Sequence, residues 1–369
     1  MELQKLVIAS VLKPVTDTRM YEKFGRSISQ AKKYEVNIIG FYSKKIPNAD
    51  NIYFHPIFKF KRIGIKRILA PLQYLVKLLA IRPVVIIITT HELLIPSLIF
   101  KVFFRAKLIY DVRENYFLNI RHTNAFPNIL RDIIAYWVRF KETLTSSYVQ
   151  HFTLAEKCYE NELTFIGNKY NIIENKALSL LSKSERATDK NNEVTKLVFT
   201  GTLAESTGVF HCIKLAQNLH QMDDSITLNI IGYCSSKAEL VRIKNAINNK
   251  PYITLQGGDN LVEHSAILDA INNADFGLIY YPPNVANDNA IPTKLYEYLS
   301  AELPILMEDK PSFISITAKY PAAIVIDFND YNSEQILAQM RSANFYATKP
   351  GSEVLWRSEE VKLLMIINS

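Results

Sequence analysis

The sequence predicts an α/β protein built from two doubly wound, parallel-sheet domains in tandem. Three observations predict it. Short runs of β-branched, nearly continuous apolar residues recur along the chain, as strands buried on both faces require. Stretches of helical length separate them, the pattern of a parallel sheet with crossover helices. The alternation breaks once, at the polar, aperiodic residues 179–195, and then restarts. A chain of 369 residues, 48% apolar, can fill the cores of two ordinary domains.

In the first domain, residues 1–178, the strands read 6–11, 36–43, 84–90, 107–113, 151–155 and 172–176. Helices 20–34, 66–80, 93–104 and 128–148 lie between them. Residues 179–195 form the linker. In the second domain, 196–345, the strands read 196–201, 227–232, 253–257, 276–281, 304–307 and 323–326. Helices near 208–221, 237–247, 265–273, 292–301 and 333–342 separate them. Residues 346–369 end the chain in an amphipathic helix that offers Val354, Leu355, Val361, Leu364 and Met365 for burial, with a return toward the first domain expected.

Cys158, Cys212 and Cys234 are odd in number, far apart and without metal-ligand spacing, so free thiols in a reducing, cytoplasmic setting are expected. No basic segment followed by a long apolar core opens the chain, and no apolar run reaches about 18 residues. The net charge of +7 is unevenly shared: residues 1–150 hold 24 Lys and Arg against 10 Asp and Glu, residues 151–369 hold 19 against 26. Residues 57–82 mix apolar side chains with Lys59, Lys61, Arg62, Lys66, Arg67, Lys77 and Arg82. Such a segment fits either an anionic membrane surface or a core helix with a solvated basic face. No nucleic-acid recognition motif accompanies the positive charge.

The stretch "NAIPTKLYEYLSAELPIL", 289–306, poses the sharpest question. Pro292 suits a first helical turn, Leu295, Leu299 and Leu303 form a core stripe, and Pro304 ends the helix. Lys294 and Glu297 fall three apart on another face. They form either a solvated i,i+3 ion pair or a pair of groups facing a ligand.

The order of motifs supplies a second line of reasoning. "LVFTGTLAESTGVFHCIKLAQNL", "LNIIGY", "ITLQGG", "INNADFGLIYYPP" and "IPTKLYEYLSAELPIL" resemble, in order and spacing, the second domain of retaining glycosyltransferases of family 4, which have the GT-B architecture. "VLKPVTDTRMYEKFGRSI" and "LIYDVRENY" resemble the family's first domain. The resemblance implies two Rossmann-like domains facing across a cleft, the first for a saccharide or lipid-linked acceptor, the second for a nucleotide-sugar donor. It implies that Glu297 holds ribose hydroxyls, that Thr293 and Lys294 face the diphosphate at a helix start, and that Asn289, Gly201, Thr202 and Gly232 complete the donor site. It also implies metal-independent transfer with no cofactor.

The departures are chemical. Asn289 stands where the family usually has a second acidic residue, and Asp288 is the nearest carboxylate. Thr202 and Thr207 stand where an arginine and a lysine usually clamp the leaving diphosphate. Lys294 is the first replacement cation, with Arg19 and Lys13 next. In the first domain Asp111, Arg113 and Glu114 follow a strand end, either with Asp111 and Glu114 as catalytic groups and Arg113 on the acceptor side or as an Asp–Arg pair closing a loop; Asp17 is a further acceptor-side candidate, and His91 is either another or a capping residue of its loop. The reading that follows is a glycosyltransferase of surface polysaccharide synthesis, cytoplasmic or peripheral on the inner membrane. Its rival is a weakly active or inactive homologue that scaffolds an active transferase.

Overall fold

The computed structural model describes residues 3–60, 65–122, 126–179, 194–286 and 288–369. It divides into two compact units, Met1–Leu178 with Trp356–Ser369, and Ser179–Leu355. The linker expected at 179–195 lies almost wholly outside the described residues, as do residues 61–64 of the basic segment.

The first unit is a parallel sheet of seven strands among the described residues: β1 (Gln4–Pro14), β2 (Tyr34–Phe41), β3 (Ile52–Phe58), β4 (Val85–Ile88), β5 (Lys107–Val112), β6 (His151–Leu154) and β7 (Tyr170–Ile172). They run in the order β3-β2-β1-β4-β5-β6-β7. Leu6 and Ile8 enter one core while Val7, Ala9 and Val11 enter another, so β1 is apolar at nearly every position. Sequence reasoning placed no strand at β3. Pro56 lacks the N–H of a ladder residue and is tolerated because β3 is an edge. The helix expected at 20–34 is a π-helical segment, Thr18–Gly25, followed by the short α-helix Arg26–Gln30.

The second unit has six parallel strands among the described residues: β8 (Thr195–Thr202), β9 (Ile226–Tyr233), β10 (Ile253–Gly258), β11 (Phe276–Ile279), β12 (Ile305–Met307) and β13 (Ala323–Val325). Their order is β10-β9-β8-β11-β12-β13. Cys212 and Cys234 are buried free thiols and Cys158 is half-buried. No helix among the described residues is long and apolar enough to cross a membrane.

The terminal helix, Arg357–Asn368, packs in the first unit. Its buried face is Leu363, Ile366 and Ile367; of the residues expected for burial Val354 is buried and Leu364 packs against this core, while Val361 and Met365 are exposed, which corrects the sequence reading at those two. Glu359 selects the face. It is buried at 0% exposure and pairs with Lys176 and Lys362, each at 2.7 Å. Trp356 stacks on Phe24 with centroids 5.5 Å apart, and its Nε1 donates to Ser27 Oγ at 2.9 Å. Trp356→Ala is expected to cost about 3–5 kcal/mol of first-unit stability in urea unfolding. A loss under about 0.5 kcal/mol would mean that the terminal segment contributes little to this core.

Candidate active site

The second sheet reverses its strand order between β8 and β11, the point where ligands of open α/β sheets bind at strand carboxyl ends. The helix Thr293–Ser300 rises beside it. Its seat is Gly277 of β11, where any Cβ would stand 2.4 Å from the Tyr298 ring. With Tyr298 seated there, every residue from Lys294 to Ser300 is buried.

Lys294 is 5% exposed. Its Nζ lies 4.0 Å from the Phe199 ring centroid and 5.4 Å from that of Tyr281, and has no hydrogen-bond partner. Burial lowers its pKa to about 8, with Cys212 and Glu297 acting the other way. One turn later the buried Glu297 Oε1 meets His264 Nε2 at 2.9 Å. The solvated Lys294–Glu297 pair is therefore not formed. Both groups are out of water, and the carboxylate is held by a histidine 33 residues away.

The floor beside Lys294 is backbone. Gly201, Gly232 and Gly257 are in register across β8, β9 and β10. Gly201 has φ +105°, and a Cβ on Gly232 would lie 1.7 Å from the Gly201 carbonyl oxygen. At the end of β8 the exposed Thr202 begins a turn that Thr207 closes. Thr207 Oγ1 is 2.7 Å from the Thr202 carbonyl oxygen and accepts the Ala204 N–H at 3.1 Å. The hydroxyl at 207 thus has a structural duty that a lysine could not perform. Asn289 and Asp288 are exposed, and Asp288 Oδ1 accepts the Asn284 N–H at 3.3 Å. Pro292 caps the helix without a side-chain bond, and Thr293 is half-buried.

Sequence reasoning missed His264, Gly257, Tyr281 and Lys310. Lys310 follows β12, is 9% exposed, and stands 3.4 Å from Glu308 Oε1 without a hydrogen bond. Its Nζ lies 5.6 Å from the Tyr281 centroid, so Tyr281 is flanked by two buried ammonium groups. "MEDKP" gave no hint, because strand-end lysines are usually solvated. Among the described residues no three His, Cys, Asp or Glu are grouped to hold a metal ion.

In the first unit the sequence candidates form two crossed ion pairs. Arg19 Nε and Nη2 donate to the Asp111 carboxylate at 2.9 and 2.7 Å, and both residues are at most 1% exposed. Thr153 Oγ1 donates to Asp111 as well. Arg113 Nη1 donates to Asp17 Oδ1 at 2.8 Å. The loop-local Asp111–Arg113 pair is replaced by partners 92 and 96 residues away, which tie the segment after β1 to the end of β5 and the residue beyond it. Arg19 and Asp111, expected as catalytic groups, neutralise each other in the core. Burial raises the Asp17 carboxyl, but Arg113 and Lys13 outweigh it and hold the pKa at about 2. Being depressed, Asp17 adds stability above its unfolded pKa that is lost as pH falls toward 2.

Glu114 accepts from Asn119 Nδ2 at 3.0 Å. His91 Nδ1 is 2.8 Å from Lys141 Nζ, and burial holds its pKa near 3, with Glu92 opposing. The neutral His91 thus accepts a hydrogen bond from Lys141. Beside it Glu142 accepts from the Tyr110 hydroxyl at 2.9 Å, and burial pushes its pKa up to about 7.

No family model matches the chain, and no curated protein sequence matches it. Solved structures do. Sucrose-phosphate synthase from Thermosynechococcus elongatus superposes with a TM-score of 0.72 at 10% identity, covering 99% of this chain and 98% of that one. Anabaena HepE, in complex with UDP and glucose, gives 0.66 at 10% identity over 99% and 100%. A UDP-forming α,α-trehalose-phosphate synthase from Burkholderia xenovorans gives 0.66 at 10% identity over 100% and 99%. The chain has the GT-B fold.

Arg19→Met is expected to cost about 3–5 kcal/mol in urea unfolding, because it strands a buried carboxylate. Unchanged stability would instead mark Arg19 as free to serve a ligand.

Proposed function

We propose that the chain is a glycosyltransferase that moves a sugar from a nucleotide-sugar donor to a saccharide acceptor, in the manner of family 4, with retention of anomeric configuration. One observation carries the reading: a buried lysine ammonium with no hydrogen-bond partner stands beside a glycine floor at the strand-order reversal, one helical turn from a buried carboxylate. A diphosphate supplies the charge that Lys294 lacks, and a ribose supplies hydroxyls to Glu297. The UDP named with two of the structural neighbours supports a uridine nucleotide as donor.

In this reading the acceptor hydroxyl attacks the anomeric carbon from the face the diphosphate leaves. Its proton passes to a leaving-group oxygen, and no side-chain nucleophile intervenes. Lys294 and Lys310 meet the charge that develops on the leaving group, the task assigned elsewhere in the family to residues at Thr202 and Thr207. The helix start at Thr293 adds partial positive charge. Asp17, Arg113, His91 and Glu114 shape the acceptor side rather than react. We place the acceptor among lipid-linked saccharides of surface polysaccharide synthesis, used at an anionic membrane surface on the cytoplasmic side. The scaffold reading draws on Thr202 and Thr207; hydrolysis of sugar nucleotides by the purified chain separates the two.

A thermal-shift panel of UDP, GDP, ADP and CDP identifies the nucleotide, since a ligand bound only by the folded state stabilises it. Lys294→Met is expected to cut turnover by about 100- to 1,000-fold, and Thr202→Arg to restore part of it without disturbing the turn that Thr207 closes. Normal turnover in Lys294→Met would sink the assignment.

Glu297→Ala is expected to weaken nucleotide binding by about 1.5–3 kcal/mol, read by calorimetry; unchanged affinity would return Glu297 to a purely structural role with His264.

Nucleotide affinity is further expected to fall as pH rises through about 8, where Lys294 loses its proton, and to lose this dependence in Lys294→Met. A flat wild-type profile between pH 7 and 9 would contradict a charged Lys294 at the phosphate.

A further inference from the structure

The helix Asn128–Ser146 is built inside out. Its buried face holds Ala135, Val138, Lys141, Glu142 and Thr145. Its outer face holds Ile129, Ile133, Tyr136, Trp137, Phe140 and Leu144, spaced three and four apart, with Ile133 66% and Trp137 and Phe140 each 58% exposed. A surface helix in water shows the opposite polarity.

Two further helices also expose apolar side chains, over buried faces that are mostly apolar. Leu72, Val76 and Leu79 are exposed on Ala70–Ile81, and Ile95, Ile99, Val102 and Phe103 on Leu94–Phe104. The three are neighbours. The Tyr74 hydroxyl lies 3.0 Å from Ser97 Oγ, the Arg82 guanidinium sits 6.0 Å from the Phe104 centroid, and Lys101 Nζ donates to the Tyr148 carbonyl. One face of the first unit therefore exposes a contiguous apolar field, which in a protein surface marks a docking site.

Charge selects the occupant. Between residues 59 and 110 the chain carries ten Lys and Arg and a single acid, Glu92, which is paired with Arg67. On the outer helix the exposed Asp132 is paired with Arg121. Lys77, Arg82, Lys101 and Arg105 thus border the apolar field without matching acids on its first two helices. A second copy of this chain would set the same cations against themselves. An anionic bilayer surface matches both features, apolar side chains and aromatic rings at headgroup depth and cations against lipid phosphates.

We propose that these three outer helix faces, rather than residues 57–82 alone, form a face that docks on an anionic lipid bilayer without spanning it. The proposal rests on the reading above for the membrane as partner, and uses none of the donor-site residues.

The test uses the full chain and vesicles of equal parts phosphatidylglycerol and phosphatidylcholine, against phosphatidylcholine alone. The chain has two tryptophans; Trp356 is buried and Trp137 is not, so intrinsic fluorescence reads the docking face. The expected result is a blue shift and co-sedimentation with the anionic vesicles, weakening as salt rises from about 0.1 to 1 M and the Debye length falls from about 10 to 3 Å. The triple variant Ile133→Gln, Trp137→Gln, Phe140→Gln should lose at least about tenfold in vesicle partition by sedimentation, with thermal unfolding and nucleotide affinity unchanged, because these side chains are exposed. Nucleotide binding measured without vesicles separates failure of this proposal from failure of the donor site. Equal binding to neutral vesicles, binding unchanged in the variant, absence of vesicle binding, or a concentration-dependent dimer abolished by the same variant would each overturn it.

Discussion

The second unit is organised around a lysine ammonium removed from water and left without a hydrogen-bond partner. Removing a charge from water is costly unless something compensates it. Here the aromatic faces of Phe199 and Tyr281 supply part of the compensation, and the depressed pKa records the remainder. The arrangement is held by packing. Tyr298 rests on Gly277, the helix is buried along nearly its whole length, and Lys294 cannot turn outward without moving it. The position of Glu297 follows from the same seat, because it shares the helix and is fixed by His264.

The first unit spends its charges differently. Arg19 pairs with Asp111 and Arg113 with Asp17, joining segments about 90 residues apart, and His91 is kept neutral by burial. Lys77, Arg82, Lys101 and Arg105 lie on or at the ends of helices that carry no acid. Polar groups inside the long helix and apolar groups outside it, at Lys141 and Trp137 for example, are two parts of one design in which the outer face is not meant for water.

Much of the fold was legible because parallel strands buried on both faces leave near-continuous apolar runs, as at 6–11 and 227–232. The strand β3 was hidden by Pro56 and His55, whose edge position only the folded sheet reveals. The terminal helix offers two apolar stripes, and periodicity alone cannot tell which meets the core; Glu359, buried through Lys176, decides it. In the candidate site, Lys294 and Glu297 were visible as a pair, but their burial was not, because three-residue spacing of opposite charges also suits a wet surface. The pairing of Arg19 with Asp111 depends on a contact across 92 residues, and Lys310 depends on a neighbour, Tyr281, outside its own segment. Such facts belong to the packed chain.

The glycine row at the ends of β8, β9 and β10 has a consequence for how this protein can diversify. A surface made of bare peptide has no side chains to exchange. At Gly201 and Gly232 the strand ends present only carbonyls and amides, which codon changes leave untouched, and the close approach at Gly232 forbids adding anything larger than hydrogen. Selection therefore cannot retune affinity there in small steps. Changes in what this end of the sheet can receive must come from the perimeter, from the exposed loop carrying Asp288 and Asn289 and from the turn after Thr202.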